Sequence, residues 1–168
     1  MMIISDLTYK IVAFSEIPNF NTDESVDWAI DMIKSGHETE HILILAGLTK
    51  PTNYFETIKY LKSALHECNL REKTGEEGIV SYAFYYIKQI ANCVDVKENL
   101  AKICQYCINT DYPKSIFDFY LLYWAWGDYD WGNAIQSYWP DATKDTIEKI
   151  VIDQAGTWIH NNESSYLV

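Results

Sequence analysis

The sequence has few of the residues that make tight turns and that contact phosphate groups. Seven glycines and four prolines in 168 residues are too few for a β-sandwich or β-barrel, which needs many turns. Arg71 is the only arginine, and no glycine-rich phosphate loop occurs. Arginine makes the planar, bidentate contacts to phosphates and base edges. The chain is therefore predicted not to bind nucleic acid.

Long apolar runs are also missing. No stretch of about 18 apolar residues is present, as a membrane-spanning helix would require. Residues 1–6 lack the basic segment and the sustained apolar stretch of an export signal. We therefore expect a cytoplasmic protein without a membrane partner. In that compartment the four cysteines are expected to be free thiols.

Aromatic and acidic residues are abundant. Hydrophobic residues make up 48% of the chain and aromatic residues 15%, which is enough to build the core of one domain over residues 1–168. Aspartate and glutamate total 24 against 13 lysines and arginines, so that the formal net charge is −11. A charge of this sign is compatible with a basic protein partner. It is equally compatible with acidity that only keeps the protein soluble.

Apolar residues recur with helical spacing along nearly the whole chain. The pattern predicts a short first helix over residues 5–16 and further helices that begin near residues 22, 41, 53, 74, 95, 113 and 143. This order predicts an all-α domain, an irregular bundle of about seven helices. A short α-solenoid is the alternative architecture.

Three glycines and one apolar run predict where helices end and which helix is most buried. Gly36, Gly127 and Gly132 are predicted to end helices or break the chain. Residues 42–46 are apolar in succession, so that the helix over 41–48 is expected to be the central and most buried element. A buried strand is the alternative for this run.

Residues 37–41, with the sequence HETEH, match the metalloprotease pattern in which two histidines four residues apart bind zinc from one helix. Gly36 is expected to end the preceding helix, and Thr39 is expected to cap the next one. His37 would then lie in a loop. We predict no metal site here. A metal-dependent hydrolase that uses His37, Glu38 and His41 is the alternative function.

Two other groupings favour structural roles. Cys104 and Cys107 form a C-x-x-C in the middle of a predicted helix, on the same face as Leu100, and are predicted to fill the core. Asp23, Asp27 and Asp31 form a row at four-residue spacing, which is predicted to be a solvated helix face. No catalytic residue and no cofactor is predicted for this chain.

The segment 117–140 is the most unusual part of the sequence. It contains four of the six tryptophans, with tyrosines and aspartates between them. Two carboxylates flank Tyr129, and burial of unpaired charge costs several kcal/mol. Part of this segment is therefore expected at the surface, where it would meet a basic protein. The predicted partner-binding residues are Asp128, Tyr129, Asp130 and Trp131. A loop whose rings cover the edge of the core is the alternative.

The pattern Trp28-Ala29-Ile30-Asp31-Met32-Ile33 with Gly36, followed by the run ILILAGL at 42–48, resembles a pattern of small bacterial α-helical proteins. The resemblance extends over most of the chain, including the segment 104–113. It implies an accessory or immunity protein of the kind encoded beside bacterial toxins, and hence a protein-binding domain that masks a basic toxin. A structural or oligomerisation module is a third possible function.

Overall fold

The computed structural model describes residues 4–166, and within this range it contains nine α-helices, one short 3-10 helix and no strand. Seven of the helices have seven residues or more, so that the prediction of an all-α protein is confirmed. The helices are α1 (Thr8–Ile11), α2 (Asp23–Lys34), α3 (Glu40–Ala46), α4 (Tyr54–Glu67), α5 (Gly75–Ala91), α6 (Val96–Asn109), α7 (Phe117–Asp130), α8 (Ile147–Asn161) and α9 (Glu163–Tyr166).

Backbone contacts divide the chain into two compact units. The first unit ends at Tyr82 and the second begins at Ala83, so that the boundary lies within α5. Within the part of the chain that the structure describes, no helix is long and apolar enough to cross a membrane. The prediction of a single domain over 1–168 stays a prediction, because the grouping of contacts does not measure cooperative folding.

The core of the first unit is built from α2, α3 and α4, where α3 packs against both of the other helices. Trp28 is fully buried, and its indole N–H donates a hydrogen bond of 2.9 Å to the Thr8 hydroxyl. Buried tryptophans need such a partner for their one polar group. Other fully buried side chains in this core are Ile11, Met32, Ile42, Leu45 and Leu61.

The expectation that residues 42–46 are buried on all sides is wrong. Ile42 and Leu45 are fully buried, but Leu43 is 51% exposed. The segment is a helix, so that the strand alternative is wrong as well. A helix of two turns that packs along one side buries only the residues on that side, which are three or four positions apart, and leaves the residues between them exposed.

The second unit has its core between α6, α7 and α8. Leu100 and Ile103 of α6, with Phe119 and Leu122 of α7, are fully buried. Cys104 and Cys107 lie on the same buried face of α6, which confirms the prediction that the C-x-x-C pair fills the core.

The prediction that Gly127 breaks the chain is also wrong. Helix α7 begins at Phe117 rather than near Pro113, and it continues through Gly127 to Asp130. The chain leaves the helical path at Gly132, whose φ of +87° is unfavourable for any residue with a Cβ. Helix α8 begins at Ile147, four residues later than predicted.

Candidate functional site

The HETEH segment does not form the helical metal site of a metalloprotease. Helix α2 ends at Lys34, and Gly36 has a φ of +89°. Thr39 is extended and directly precedes α3, so that His37 lies in the connecting loop while His41 lies in the first turn of the helix. The predicted helix end before Gly36 and the loop position of His37 are confirmed, whereas Thr39 occupies the cap position without making a side-chain capping hydrogen bond.

His41 instead contacts Glu67, at the end of α4. The His41 Nδ1 lies 2.5 Å from Glu67 Oε1, and the His41 backbone N–H donates a hydrogen bond of 3.0 Å to Glu67 Oε2. The side chain of Thr39 makes no capping hydrogen bond, so that a residue 26 positions away satisfies one of the free N–H groups at the start of α3. The hydrogen bond with the His41 side chain is the main reason that the pKa of Glu67 is lowered to about 2.

Glu40, His41 and Glu67 are the one group within residues 4–166 whose oxygen and nitrogen atoms are close enough together to hold a metal ion. Each of the three offers a ligand atom within 4.8 Å of the others. Neither His37 nor Glu38 belongs to this group. The contacts between His41 and Glu67 already satisfy both carboxylate oxygens, which makes the pair a structural link between α3 and α4.

The acidic row on α2 lies at the surface as its spacing predicts, with the side chains of Asp27 and Asp31 52% and 42% exposed, but it also makes contacts with other segments. Asp23 accepts hydrogen bonds of 2.8 Å from both the backbone N–H and the hydroxyl of Thr52, which lower the pKa of Asp23. Asp27 lies 2.5 Å from Lys50 Nζ. Asp23 and Asp27 therefore hold the loop before α4 against α2, an interaction between segments that spacing within one helix does not reveal.

The C-x-x-C pair is unsuited to redox or nucleophilic chemistry. Burial raises the pKa of Cys104 to about 12 and that of Cys107 to about 11. A thiol must lose its proton to act as a nucleophile, and these values keep both thiols protonated near neutral pH. Both thiols are packed in the core of the second unit.

A row of aromatic side chains, here called the aromatic stripe, follows one face of α7. It consists of Tyr112, Phe117, Tyr120, Trp124 and Trp131. Successive ring centroids lie 5.4 to 6.4 Å apart, and all five rings are partly or fully exposed. The opposite face of the helix is buried, so that α7 is apolar on both sides. An apolar face at the surface is a common feature of protein interfaces.

The four predicted partner-binding residues lie at the end of the stripe, but one of them is buried. Trp131 is 68% exposed, whereas Tyr129 is only 8% exposed. Asp130 forms an ion pair with Lys97, and Asp128 accepts a hydrogen bond of 3.2 Å from the Asn133 side chain. The side chains of Asp128, Asp130 and Trp131 are therefore at least partly exposed, and that of Tyr129 is buried.

The chain from Trp131 to Thr146, here called the aromatic loop, connects α7 to α8 without a helix of its own. The Tyr129 hydroxyl donates a hydrogen bond of 2.7 Å to the Ala142 carbonyl oxygen. The Gln136 side chain accepts hydrogen bonds of 2.8 Å from the backbone N–H groups of Tyr138 and Trp139. These contacts give the loop a defined shape although it lies at the surface.

The aromatic loop carries two features that sequence reasoning missed. Ile135 is 81% exposed, among the most exposed of the large apolar side chains. Residues of the loop also surround a cleft of about 510 Å³, which is bordered by Ile135, Trp139, Asp141, Ala142 and Asp145. The sequence does contain one indication of these features, which is the long segment without helical periodicity after Gly132. Compact surface loops of this length are frequently functional.

No protein-family model, curated protein or solved structure matches the chain.

Proposed function

We propose that this chain is a protein-binding domain whose contact surface is the end of the aromatic stripe together with the aromatic loop, and that its partner is a basic protein. The observation that carries the proposal is the exposure of Trp131 and Ile135 in the same short stretch of sequence as Asp128 and Asp130. Contiguous apolar patches at a protein surface are uncommon in monomers and mark sites of interaction. Tryptophan is also enriched among the residues that contribute most to binding.

The charge of this region favours a basic partner over a neutral one. No lysine, arginine or histidine occurs between Lys114 and Lys144, whereas this interval contains Asp118, Asp128, Asp130 and Asp141. Complementary charge raises the rate of encounter and disfavours acidic partners. Lys97 partly neutralises the negative charge of Asp130, because the two side chains form an ion pair.

The resemblance to accessory and immunity proteins adds a biological role to this proposal. An immunity protein must hold its toxin tightly and mask the toxin's working surface. Toxins that act on nucleic acid carry basic surfaces, since phosphate binding needs clustered lysine and arginine. A cytoplasmic protein with a net charge of −11 and an exposed aromatic surface suits the task of masking such a surface.

The test uses a partner captured from the native host by the immobilised wild-type chain and then purified. Association and dissociation rates are measured for Asp128→Lys with Asp130→Lys, and separately for Trp131→Ala. We expect the charge variant to slow association about tenfold at low salt, because steering depends on charge. Trp131→Ala should mainly accelerate dissociation, since it removes buried contact area.

The matched control is Glu38→Lys with Glu76→Lys, which changes the net charge equally at exposed positions in the first unit. It should slow association much less than the variant in the aromatic region. If both charge variants bind at the same rate and Trp131→Ala dissociates like the wild type, the interface lies elsewhere. Self-association of the wild type through Trp131 would instead favour the oligomerisation module.

The alternative function, a metal-dependent hydrolase, is supported only by the match of residues 37–41 to the metalloprotease sequence pattern. It requires His37, Glu38 and His41 to surround one ion, but His37 is separated from the helix that carries His41. His41 is also engaged with Glu67.

A further inference from the structure

We infer that the cleft of the aromatic loop receives one lysine or arginine side chain of the basic partner. This inference rests on the proposed function and makes it more specific, because it names the group that the partner inserts. The relevant residues are Ile135, Trp139, Asp141, Ala142 and Asp145, all of which border the cleft.

The size and shape of the cleft suit an inserted side chain. Its volume of about 510 Å³ lies within the range of roughly 300 to 1,000 Å³ that is typical of ligand-binding sites. This exceeds what one long side chain needs, so that the flanking backbone of the partner fits as well. The hydrogen bond from Tyr129 to Ala142 ties the loop around the cleft to α7, and those of Gln136 tie the loop to itself. A site that is formed before binding loses less entropy when the partner arrives.

The chemistry of the walls matches a side chain that is apolar along its stem and positive at its end. Ile135, Trp139 and Ala142 offer apolar surface to the stem, as lysine and arginine require when they are buried lengthwise. Asp141 and Asp145 offer carboxylates to the charged end, and a cation near the Trp139 ring would gain a further cation–π attraction. Lys144 also borders the cleft, so that its three charged residues sum to −1.

An anionic or neutral insert fits these walls less well. A carboxylate or phosphate would meet two aspartates and only one lysine. An apolar insert would leave the two carboxylates partly desolvated without a partner, which is costly. The positive side chain is the one common insert that satisfies both the apolar walls and the acidic residues.

The first experiment titrates the protein with N-acetyl-arginine amide and follows the backbone amides of residues 133–145 and the Trp139 indole by nuclear magnetic resonance. N-acetyl-citrulline amide, which has the same shape without the charge, is the comparison compound. We expect saturable shifts at the cleft for the arginine compound and much weaker shifts for citrulline. Asp141→Asn with Asp145→Asn should weaken binding of the arginine compound about fivefold.

The substitutions are chosen to preserve the fold. Asp141 has a φ of +65°, which asparagine adopts as readily as aspartate does. The control, Glu38→Gln with Glu76→Gln, removes the same charge at exposed positions in the first unit and should leave the titration unchanged. Shifts that do not saturate, or that citrulline reproduces, would overturn the inference.

The second experiment measures binding of the purified partner to Asp141→Asn with Asp145→Asn. The inference is supported if this variant binds the partner more weakly and is overturned if it binds as the wild type does. The proposed function is judged separately, by Asp128→Lys with Asp130→Lys and by Trp131→Ala. If those variants lose binding while the cleft variant does not, the surface is correct and the inserted side chain is wrong.

Discussion

A single glutamate, Glu67, replaces the local cap that the sequence suggests for α3. Thr39 is at the position where threonine usually accepts a hydrogen bond from the start of the helix, yet its side chain makes no such bond. Glu67 accepts from the His41 backbone and contacts the His41 ring. Local sequence predicts where α3 begins, because Gly36 and Thr39 both lie within the four residues before it. It cannot predict Glu67, because that contact depends on how α4 packs.

The contact between Glu67 and His41 predicts a pH-dependent contribution to stability. The pKa of Glu67 is about 2 in the folded protein and about 4.5 as its ordinary value. A lowered pKa means that the contribution is complete above about pH 4.5 and is lost as the pH falls toward about 2. Glu67→Gln should therefore destabilise the protein at pH 6, because glutamine has one acceptor atom where two are used.

The measurement compares urea unfolding of the wild type and Glu67→Gln at pH 6 and at pH 3. The difference in unfolding free energy should be smaller at the lower pH. Glu38→Gln, which removes an exposed carboxylate from the loop before α3, is the control for loss of charge. A difference that stays constant with pH would show that Glu67 is not stabilised by its contacts with His41.

The four cysteines predict a second result at the residue scale. Cys93 is exposed, whereas Cys68, Cys104 and Cys107 are buried. A thiol reagent at pH 8 should label Cys93 rapidly and should label the other three only when the protein unfolds, because burial both blocks access and raises the pKa of Cys104 and Cys107. Mass spectrometry counts the labels, and Cys93→Ser is the control. Rapid labelling of Cys104 in the native protein would contradict the packing of α6.

At the scale of single elements, the sequence predicts helices well and their ends less well. Periodicity identifies each long helix, since apolar residues three and four apart must face the core. Gly127 illustrates the limit. Glycine often ends a helix, but it can also continue one at a cost of about 0.5 to 1 kcal/mol relative to alanine, and here the residues after it remain helical to Asp130. Whether a glycine ends a helix depends on the packing of the residues that follow it. The periodicity of apolar residues carries no information about that packing.

Two other helical glycines predict opposite effects of the same substitution. Gly156 is exposed within α8, and a Cβ there would have no atom within 4 Å. Gly156→Ala should therefore stabilise the protein by about 1 kcal/mol, the difference in helix propensity. Gly78 lies in α5, and a Cβ there would lie 2.6 Å from the Lys73 carbonyl oxygen and 2.6 Å from Glu16 Cγ. Gly78→Ala should destabilise by about 1 to 3 kcal/mol.

Chemical denaturation of the two variants and the wild type measures both effects, and circular dichroism verifies that the helix content is unchanged. Each variant is the control for the other, because the residue change is identical and only the surroundings differ. Stabilisation by Gly78→Ala would mean that the start of α5 does not pack against Lys73 and Glu16. Destabilisation by Gly156→Ala would mean that α8 is covered at that position.

At the scale of the whole molecule, the candidate surface is only partly predictable from sequence. Two carboxylates beside Tyr129 correctly indicated that the segment reaches the surface, and Trp131 is exposed as this reasoning requires. Tyr129 itself is buried, because its hydroxyl reaches the carbonyl oxygen of Ala142 across the aromatic loop. The cleft was missed for the same reason, since it is formed by the path of the loop and not by any spacing along it.

The net charge of −11 predicts how salt affects stability. Exposed ion pairs such as those of Lys50 with Asp27 and Arg71 with Glu77 are weakened by salt, but each contributes only about 0 to 1 kcal/mol. Repulsion among the excess carboxylates acts over the whole surface and is screened by the same salt. Because acidic residues outnumber basic ones by 24 to 13, relief of repulsion should outweigh loss of ion pairs.

The melting temperature at pH 7 should therefore rise when sodium chloride is increased from about 0.02 M to about 0.3 M, over which the screening length falls well below the size of the protein. The comparison variant is Glu38→Lys with Asn161→Lys at two exposed positions, which changes the net charge by 2 + 1, from −11 to −8. Its melting temperature should rise less over the same interval, because less repulsion remains to be screened. A melting temperature that falls with salt in both proteins would contradict the prediction. It would show that ion pairs contribute more to stability than repulsion among the excess negative charges takes away.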